Sequence, residues 1–429
     1  MRILIGLVET AGYFNSLKKG FDELGVDCTF LDLSSHPFEY ERRDFSNRFI
    51  DRVRRARSRM YSGSRPRLAD RLWWDLGRFF LFVWALLKFE VFIFGYWSSF
   101  LNFRDLPILK FFRKRVIYVF FGSDSRPPYI DNAYRPPLSV EACIRVTREQ
   151  KGRIRRIERY ADEIVCYPLH THLHERPVVN ITAMGLPCEP PRPLSEGQLP
   201  ARKRPVRVLH APSVPEAKGT DRIREAVREV QARGHEVELI EVIGRPHRVV
   251  MEELARCDLV IDQLYSEVPA AKLAAEAMSL GKAVIVGGYA GKEIEDLFRS
   301  DELPPVCYCH PDRLRETLER LVLDESHRRE LGEQARLFVE SNWLAAKVAR
   351  CFLDLAQGRV PAHRVYDPRG LRYLHGFGFA EARVRERIRA VVAKGGREAL
   401  ELPDKPELVE AFLRFAFPED PPAEPGNLT

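Results

Sequence analysis

Apolar segments of strand length alternate with helix-patterned segments from the first residues, stop at a run of prolines, and then resume alternating. Few architectures accommodate that pattern. Before the break, strands are expected at residues 2–8, 28–31, 91–97, 116–121 and 164–166. Phe14, Leu17, Phe21 and Leu24 recur at spacings of three and four, the period of one helix face, and Gly25 closes that helix. Residues 140–160 carry the clearest helical stripe, including Val140, Cys143, Ile144, Ile154 and Ile157. The break at 187–205 holds six prolines, the composition of a linker. After it, strands at 206–210, 237–242, 259–264, 283–286 and 306–309 alternate with helices near 220–233, 247–256, 269–280, 292–299 and 311–323. Strands separated by helices build mostly parallel sheets covered on both faces. Two such sheets joined by a linker leave a cleft, and open parallel sheets bind ligands at the carboxyl ends of their strands. The expected division is a first Rossmann-like unit at 1–190, a linker at 191–205, a second unit at 206–357, and a helical extension with a frayed tail at 358–429. The bland expectation for that extension is packing against the first unit.

A chain of 429 residues suffices for two hydrophobic cores. Its eight cysteines show no regular spacing, and residues 2–8 read as a strand rather than a secretory leader. Reduced thiols and a cytoplasmic location are therefore expected. Cys307, Cys309 and His310 have the residue types of a metal site, but they end a buried strand and lack a second ligand pair; no metal is expected. The net charge of +7 is concentrated, because residues 42–71 hold eleven arginines and three aspartates. Such a block is a solvated face, a nucleic-acid patch or a contact for anionic lipid headgroups. Trp73, Trp74, Phe79, Phe80, Phe82 and Trp84 follow it, which fits peripheral contact with the inner face of a membrane, with a plain solvated loop the equal alternative. No nucleic-acid-binding module is recognisable in the block, so no nucleic-acid partner is expected. Residues 79–103 are not expected to span a bilayer. Lys88 and Glu90 interrupt them, and the longest uncharged run is 13 residues, short of the ~20 a spanning helix needs.

Two stretches of the second half have the residue types of a nucleotide site. In the first, a strand ends at His210, a loop with Ser213 follows, and Lys218 and Gly219 precede a helix capped by Thr220. A helix start offers free N–H groups and partial positive charge, to which Lys218 adds a full one, so an anion fits there. An ordinary strand–loop–helix junction with an exposed lysine has the same pattern. In the second, Glu267 lies in a loop before a small-residue helix, and Glu276 stands among Ala274, Ala275, Ala277 and Met278. A carboxylate in that setting needs a partner, and a ribose diol supplies two hydroxyl donors. The alternative is that Glu276 points outward.

These stretches, "VRVLHAPSVPEAKGTDRIREAV", "CDLVIDQL" and "KLAAEAMSLGKAVIV", resemble the retaining glycosyltransferases of family 4, which have the GT-B fold. The first half is similar through "VIYVFFGSDSRPPYI", "ADEIVCYPL" and "ITAMGLP". The resemblance covers roughly residues 1–357 and implies a GT-B fold, two Rossmann-like doubly wound domains facing across a cleft. It implies a nucleoside-diphosphate sugar donor and a glycan or lipid-linked acceptor, with Lys218 on the diphosphate, Glu276 on the ribose and base contacts near Gly244. It also implies a metal-independent mechanism with retention, and the chain carries no Asp-x-Asp pair. Ser213, Lys218, Gly219, Gly244 and Glu276 are thus the expected donor-binding residues. Three positions depart from the family pattern. Pro212, Ser213, Val214 and Pro215 fill the stretch where an arginine commonly accompanies the lysine. Val268 stands where the first of two glutamates normally lies, with Glu267 one place away. Phe121 precedes Gly122 where many members carry a histidine, leaving Ser123, Asp124 and Arg126 as the nearest polar side chains. Asp124 and Glu267 are the expected residues of the reacting centre. The missing charges also open a second reading, a catalytically impaired GT-B-like binding or scaffold protein.

Overall fold

The computed structural model describes residues 1–34, 45–61, 68–190 and 204–418. Part of the arginine block (42–44 and 62–67), most of the linker and the closing tail therefore lie outside the described residues. The first unit contains β1 (Ile3–Leu7), β2 (Cys28–Asp32), β3 (Val91–Gly95), β4 (Arg115–Val119), β5 (Glu163–Cys166) and β6 (Val178–Asn180), all paired in parallel. The second contains β7 (Val206–His210), β8 (Val237–Glu241), β9 (Leu259–Ile261), β10 (Ala283–Gly287) and β11 (Cys307–Cys309), again all parallel. Every residue of β1, β3 and β10 is buried, which is why these strands read as continuous apolar runs rather than alternating ones.

The first sheet has the order β6-β5-β4-β3-β1-β2, and the second β11-β10-β9-β7-β8. Strand order reverses between β1 and β3 and again between β7 and β9. Crevices for ligands open at such switch points, beyond the carboxyl ends of the strands. The two units turn these ends toward each other across a cleft. This is the GT-B arrangement.

Two connections cross between the units side by side. The Cys188 N–H donates to the Trp343 carbonyl at 2.8 Å, and the Ala345 N–H donates to the Cys188 carbonyl at 2.9 Å. The stretch at 325–357 is helical in pieces. It divides into Glu325–Phe338, a π-turn at Val339–Trp343 and Ala345–Ala356. The last piece leaves the second unit: Val348, Ala349, Phe352 and Leu355 lie in the core of the first. It approaches the helix Tyr13–Glu23 so closely that a Cβ on Gly20 would meet the Ala345 carbonyl oxygen at 2.0 Å. A glycine is needed there for two backbones to touch.

Strand β6 was not among the expected strands. Nor was β12 (Val365–Tyr366), which pairs antiparallel with β6 at the sheet edge. The extension continues with the helices Glu381–Gly395 and Pro406–Ala416, whose Val384, Ile388, Val391, Leu408 and Phe412 join the first core. The helix expected from 269 begins at Lys272, because Ala271 stays extended (φ −107°, ψ −170°). Among the described residues no helix is long and apolar enough to cross a membrane.

Candidate active site

Both sheets end on one cavity of about 680 Å³, within the range of small-molecule sites. The loops after β1, β3, β4 and β5 contribute Glu9, Tyr96, Arg126 and His170. The loops after β7, β8 and β9 contribute Ser213, Lys218, Gly244 and Glu267, and Glu276 comes from the helix Lys272–Ser279. Gly219 and Asp124 are not among its lining residues.

A cluster of buried charge joins the two units. Arg126 Nη1 donates to Glu267 Oε1, and its Nη2 lies 3.5 Å from Asp131 Oδ1. His170 Nε2 lies 2.5 Å from the same glutamate oxygen. Burial opposes ionisation of Glu267, but Arg126 and His170 outweigh it and hold the carboxyl down to about 2. Burial also pushes His170 down, and pushes Asp131 up despite Arg126. Among the described residues, Glu267 Oε2, Asp131 Oδ2 and His170 Nδ1 have no hydrogen-bond partner. A buried polar atom left unsatisfied costs about 1–3 kcal/mol.

Asp124, expected at the reacting centre, works behind the cavity wall instead. Its Oδ1 accepts from the N–H groups of Phe121 and Gly122, each at 2.8 Å, and the residue is fully buried. A short acid in a turn captures its own backbone, and here that closes the loop that aims Arg126. Gly122 (φ +144°) serves the same end, since a Cβ there would lie 2.9 Å from Arg126 Nη1.

Lys218 ends the short helical turn Pro215–Lys218, and Gly219 (φ +75°) caps the helix Thr220–Ala232. The lysine Nζ donates to Gln263 Oε1 and lies 3.8 Å from Asp262 Oδ1. Behind it, His210 Nδ1 lies 2.8 Å from the Ile261 carbonyl and Nε2 lies 2.9 Å from Thr220 Oγ1. A carbonyl only accepts, so the proton sits on Nδ1 and Nε2 accepts from the threonine hydroxyl. This buried ring ties β7, β9 and the helix start together.

Glu276 does not point away from the cleft. Its Oε1 lies 2.9 Å from His247 Nε2 and 3.4 Å from Lys272 Nζ. Burial works against the carboxylate, while Lys272 and His247 more than compensate and leave it below its ordinary range. Gly244 (φ +64°) opens the turn after β8, and Ser213 is exposed at the rim.

Phe377 comes into this cavity from the C-terminal extension. The Arg126 guanidinium lies 4.7 Å and the Lys218 ammonium 5.6 Å from its ring centre. The Phe377 N–H donates to the Ile130 carbonyl, the Asn132 N–H to the Phe377 carbonyl, and the Gly378 N–H to the Tyr265 carbonyl. The extension is thus stitched to both units, beyond packing against the first.

No known protein-family model matches the chain, and no curated protein matches it. Solved structures do align with it. HepE from Anabaena in complex with UDP is 11% identical, with 83% of this chain and 100% of that one covered and a TM-score of 0.49. The glycosyltransferase SnogD from Streptomyces nogalater is 13% identical, with 83% and 99% covered and a TM-score of 0.40. An α,α-trehalose 6-phosphate synthase from Burkholderia multivorans is 9% identical, with 83% and 96% covered and a TM-score of 0.46. Likeness at that level carries no weight for this chain's chemistry.

Sequence reasoning did not single out His170, Asp131 or Phe377. A signal for the first existed, since His170, His172 and His174 crowd the carboxyl end of β5. All eight cysteines are free, and among the described residues no group of three or more His, Cys, Asp or Glu side chains is placed to hold a metal.

Glu9 gives the site a pH signature. It is buried and accepts from the N–H groups of Thr10, Phe14 and Asn15 at the start of the helix Tyr13–Glu23. Burial nevertheless lifts its carboxyl from 4.5 to about 7. A raised carboxyl stabilises the fold fully below its unfolded value and loses that contribution as pH rises toward 7, here roughly 3 kcal/mol. Urea unfolding at pH 5 and pH 8 should therefore show Glu9→Gln with a smaller loss than the wild type over that interval.

Proposed function

We propose that the chain is a glycosyltransferase that moves a sugar from a nucleoside-diphosphate sugar to a hydroxyl of a glycan or lipid-linked acceptor, with retention. The observation that carries this reading is that Lys218, Glu276, Arg126 and Glu267, drawn from both units, line one cavity at the two switch points. Lys218 neutralises the leaving diphosphate, and Glu276 accepts the ribose hydroxyls with the base near Gly244 and Ser213. Arg126 takes the part of the arginine absent upstream of Lys218, reaching in from the opposite unit. Glu267, held ionised, accepts hydroxyls of the transferred sugar through its unpartnered Oε2. Fixed charges aimed at developing charge commonly contribute more to catalysis than any other single effect. A second cavity of about 380 Å³ adjoins the first through Tyr96. There the Arg153 guanidinium lies 5.6 Å from the Trp97 ring centre, and among the described residues the buried Gln150 Oε1 lacks a partner, which suits a polar acceptor.

One observation favours a second reading, a non-catalytic binding module. Arg126 and Lys218 already engage Glu267 and Gln263, and Phe377 lies against both cations. Purified protein incubated with a panel of nucleotide sugars decides between them. Transfer or donor hydrolysis with one donor, reduced at least about tenfold in Glu276→Ala through a raised KM, supports the enzyme. Binding without turnover supports the module, and absence of any binding defeats both.

A further inference from the structure

The helix Leu68–Lys88 carries large apolar side chains on two sides, yet only one of them is covered. Gly77, Leu81, Phe82 and Ala85 are buried, whereas Leu72, Leu76, Phe79, Phe80, Val83 and Leu87 are exposed. At ~100° per residue the exposed six fall within an arc of about 100°, a continuous stripe along four turns. Exposed apolar patches of this kind mark contact surfaces.

The stripe has a cationic rim. The helix Arg48–Tyr61 lies alongside, packed so closely that a Cβ on Gly77 would meet Val53 Cγ2 at 2.5 Å. That helix holds six arginines and one aspartate. The Arg52 guanidinium lies 4.4 Å from the centre of the Trp73 ring, at the border between rim and stripe, and Arg48 and Arg55 are exposed. At the other end, Phe111 and Phe112 are exposed beside Arg113, and Lys114 Nζ donates to the Phe89 carbonyl two residues from Leu87. Aliphatic and aromatic side chains on one face, flanked by arginine and tryptophan, suit the boundary between headgroups and acyl chains. A second copy seated stripe on stripe would carry the same arginine rim and offer it no countercharge.

We propose that this face docks the protein on an anionic lipid bilayer, with the stripe entering the headgroup–acyl boundary and the arginines resting on lipid phosphates. Arg57 of the rim helix also lines the cleft, so docking holds the cleft mouth close to the bilayer. The interaction does not depend on sugar transfer.

Co-sedimentation of the full chain with vesicles tests it, using phosphatidylcholine alone and phosphatidylcholine with phosphatidylglycerol (about seven to three). The expected result is binding to the anionic vesicles that weakens as salt rises. Phe79→Glu combined with Phe80→Glu lowers the bound fraction about tenfold or more. Arg52→Glu combined with Arg55→Glu abolishes the preference for anionic over neutral vesicles. Melting curves confirm that the variants fold, and Leu72→Gln with Leu76→Gln replaces the glutamate pair if it melts early. Failure of the wild type to sediment with anionic vesicles overturns the proposal. So does undiminished binding by the folded stripe variants, or a wild-type dimer that they split into monomers.

Discussion

Arg126→Met is expected to lower the unfolding free energy by about 3–5 kcal/mol at pH 7, the usual cost of stripping one partner from a buried ion pair. Arg126 is buried between Glu267 and Asp131, and His170 is the other group in contact with Glu267. Burial, the largest cause, and Arg126 hold His170 below its ordinary value in the wild type. Methionine fills the stem's volume and leaves Glu267 ionised without a countercharge. The deficit should narrow as pH falls. In the wild type Glu267 sits below its unfolded value, so its contribution is present above about 4.5 and lost as pH drops toward 2. The variant lacks that contribution and gains by protonating the stranded acid. Arg126→Met with Glu267→Gln should recover more than half of the loss. Urea titrations at pH 4 and pH 7 on the three proteins measure all of this. A single variant as stable as the wild type at pH 7 would mean that the pair does not hold the units together.

Lys218→Ala is expected to behave in the opposite way, with little change in stability and a large loss of function. Its ammonium is only partly buried and its neighbour Gln263 keeps a second bond, from Nε2 to Ser266 Oγ at 2.6 Å. Water can take the vacated place. Under the proposed function the charge faces the leaving diphosphate, and removing one donor from such a position lowers kcat by roughly 10²–10³. Lys218→Arg, which keeps the charge but alters its reach, should fall between the two. Steady-state kinetics with the best donor, alongside melting curves, separates this result from general unfolding. Unchanged kcat/KM in a folded Lys218→Ala protein would remove the lysine from the diphosphate site.

Much of the architecture is legible in the sequence because it is local. Buried parallel strands such as Ile3–Leu7 and Ala283–Gly287 announce themselves as apolar runs, and the loop after each carboxyl end is where parallel sheets place their ligands. Lys218 and Glu276 can be picked out for the same reason, since each is read from its immediate neighbours. The buried charge cluster cannot. Arg126 and Glu267 are 141 positions apart, and nothing near either shows that they meet. Polarity in a turn also does not tell facing from capping. Asp124 and Arg126 are two residues apart, yet one captures backbone N–H groups and the other crosses the cleft. Phe377 lies in an extension without strong periodicity; its flanking Gly376 and Gly378, which pass tight against Ile130 and Asn132, are the only local hint of a close approach. The helix Leu68–Lys88 is readable as non-spanning, but its uncovered face emerges only from the packing of Val53 on Gly77.

Calorimetric titration of the wild-type protein with nucleoside diphosphates of each base tests most directly whether the cleft holds a diphosphate at Lys218 and a ribose at Glu276. At least one should bind, and at a hundredfold excess over its Kd it should stabilise the fold by about 2.7 kcal/mol, with the affinity falling tenfold or more in Lys218→Ala. Folded wild-type protein that gives neither heat nor a shift in Tm with any of them would contradict it.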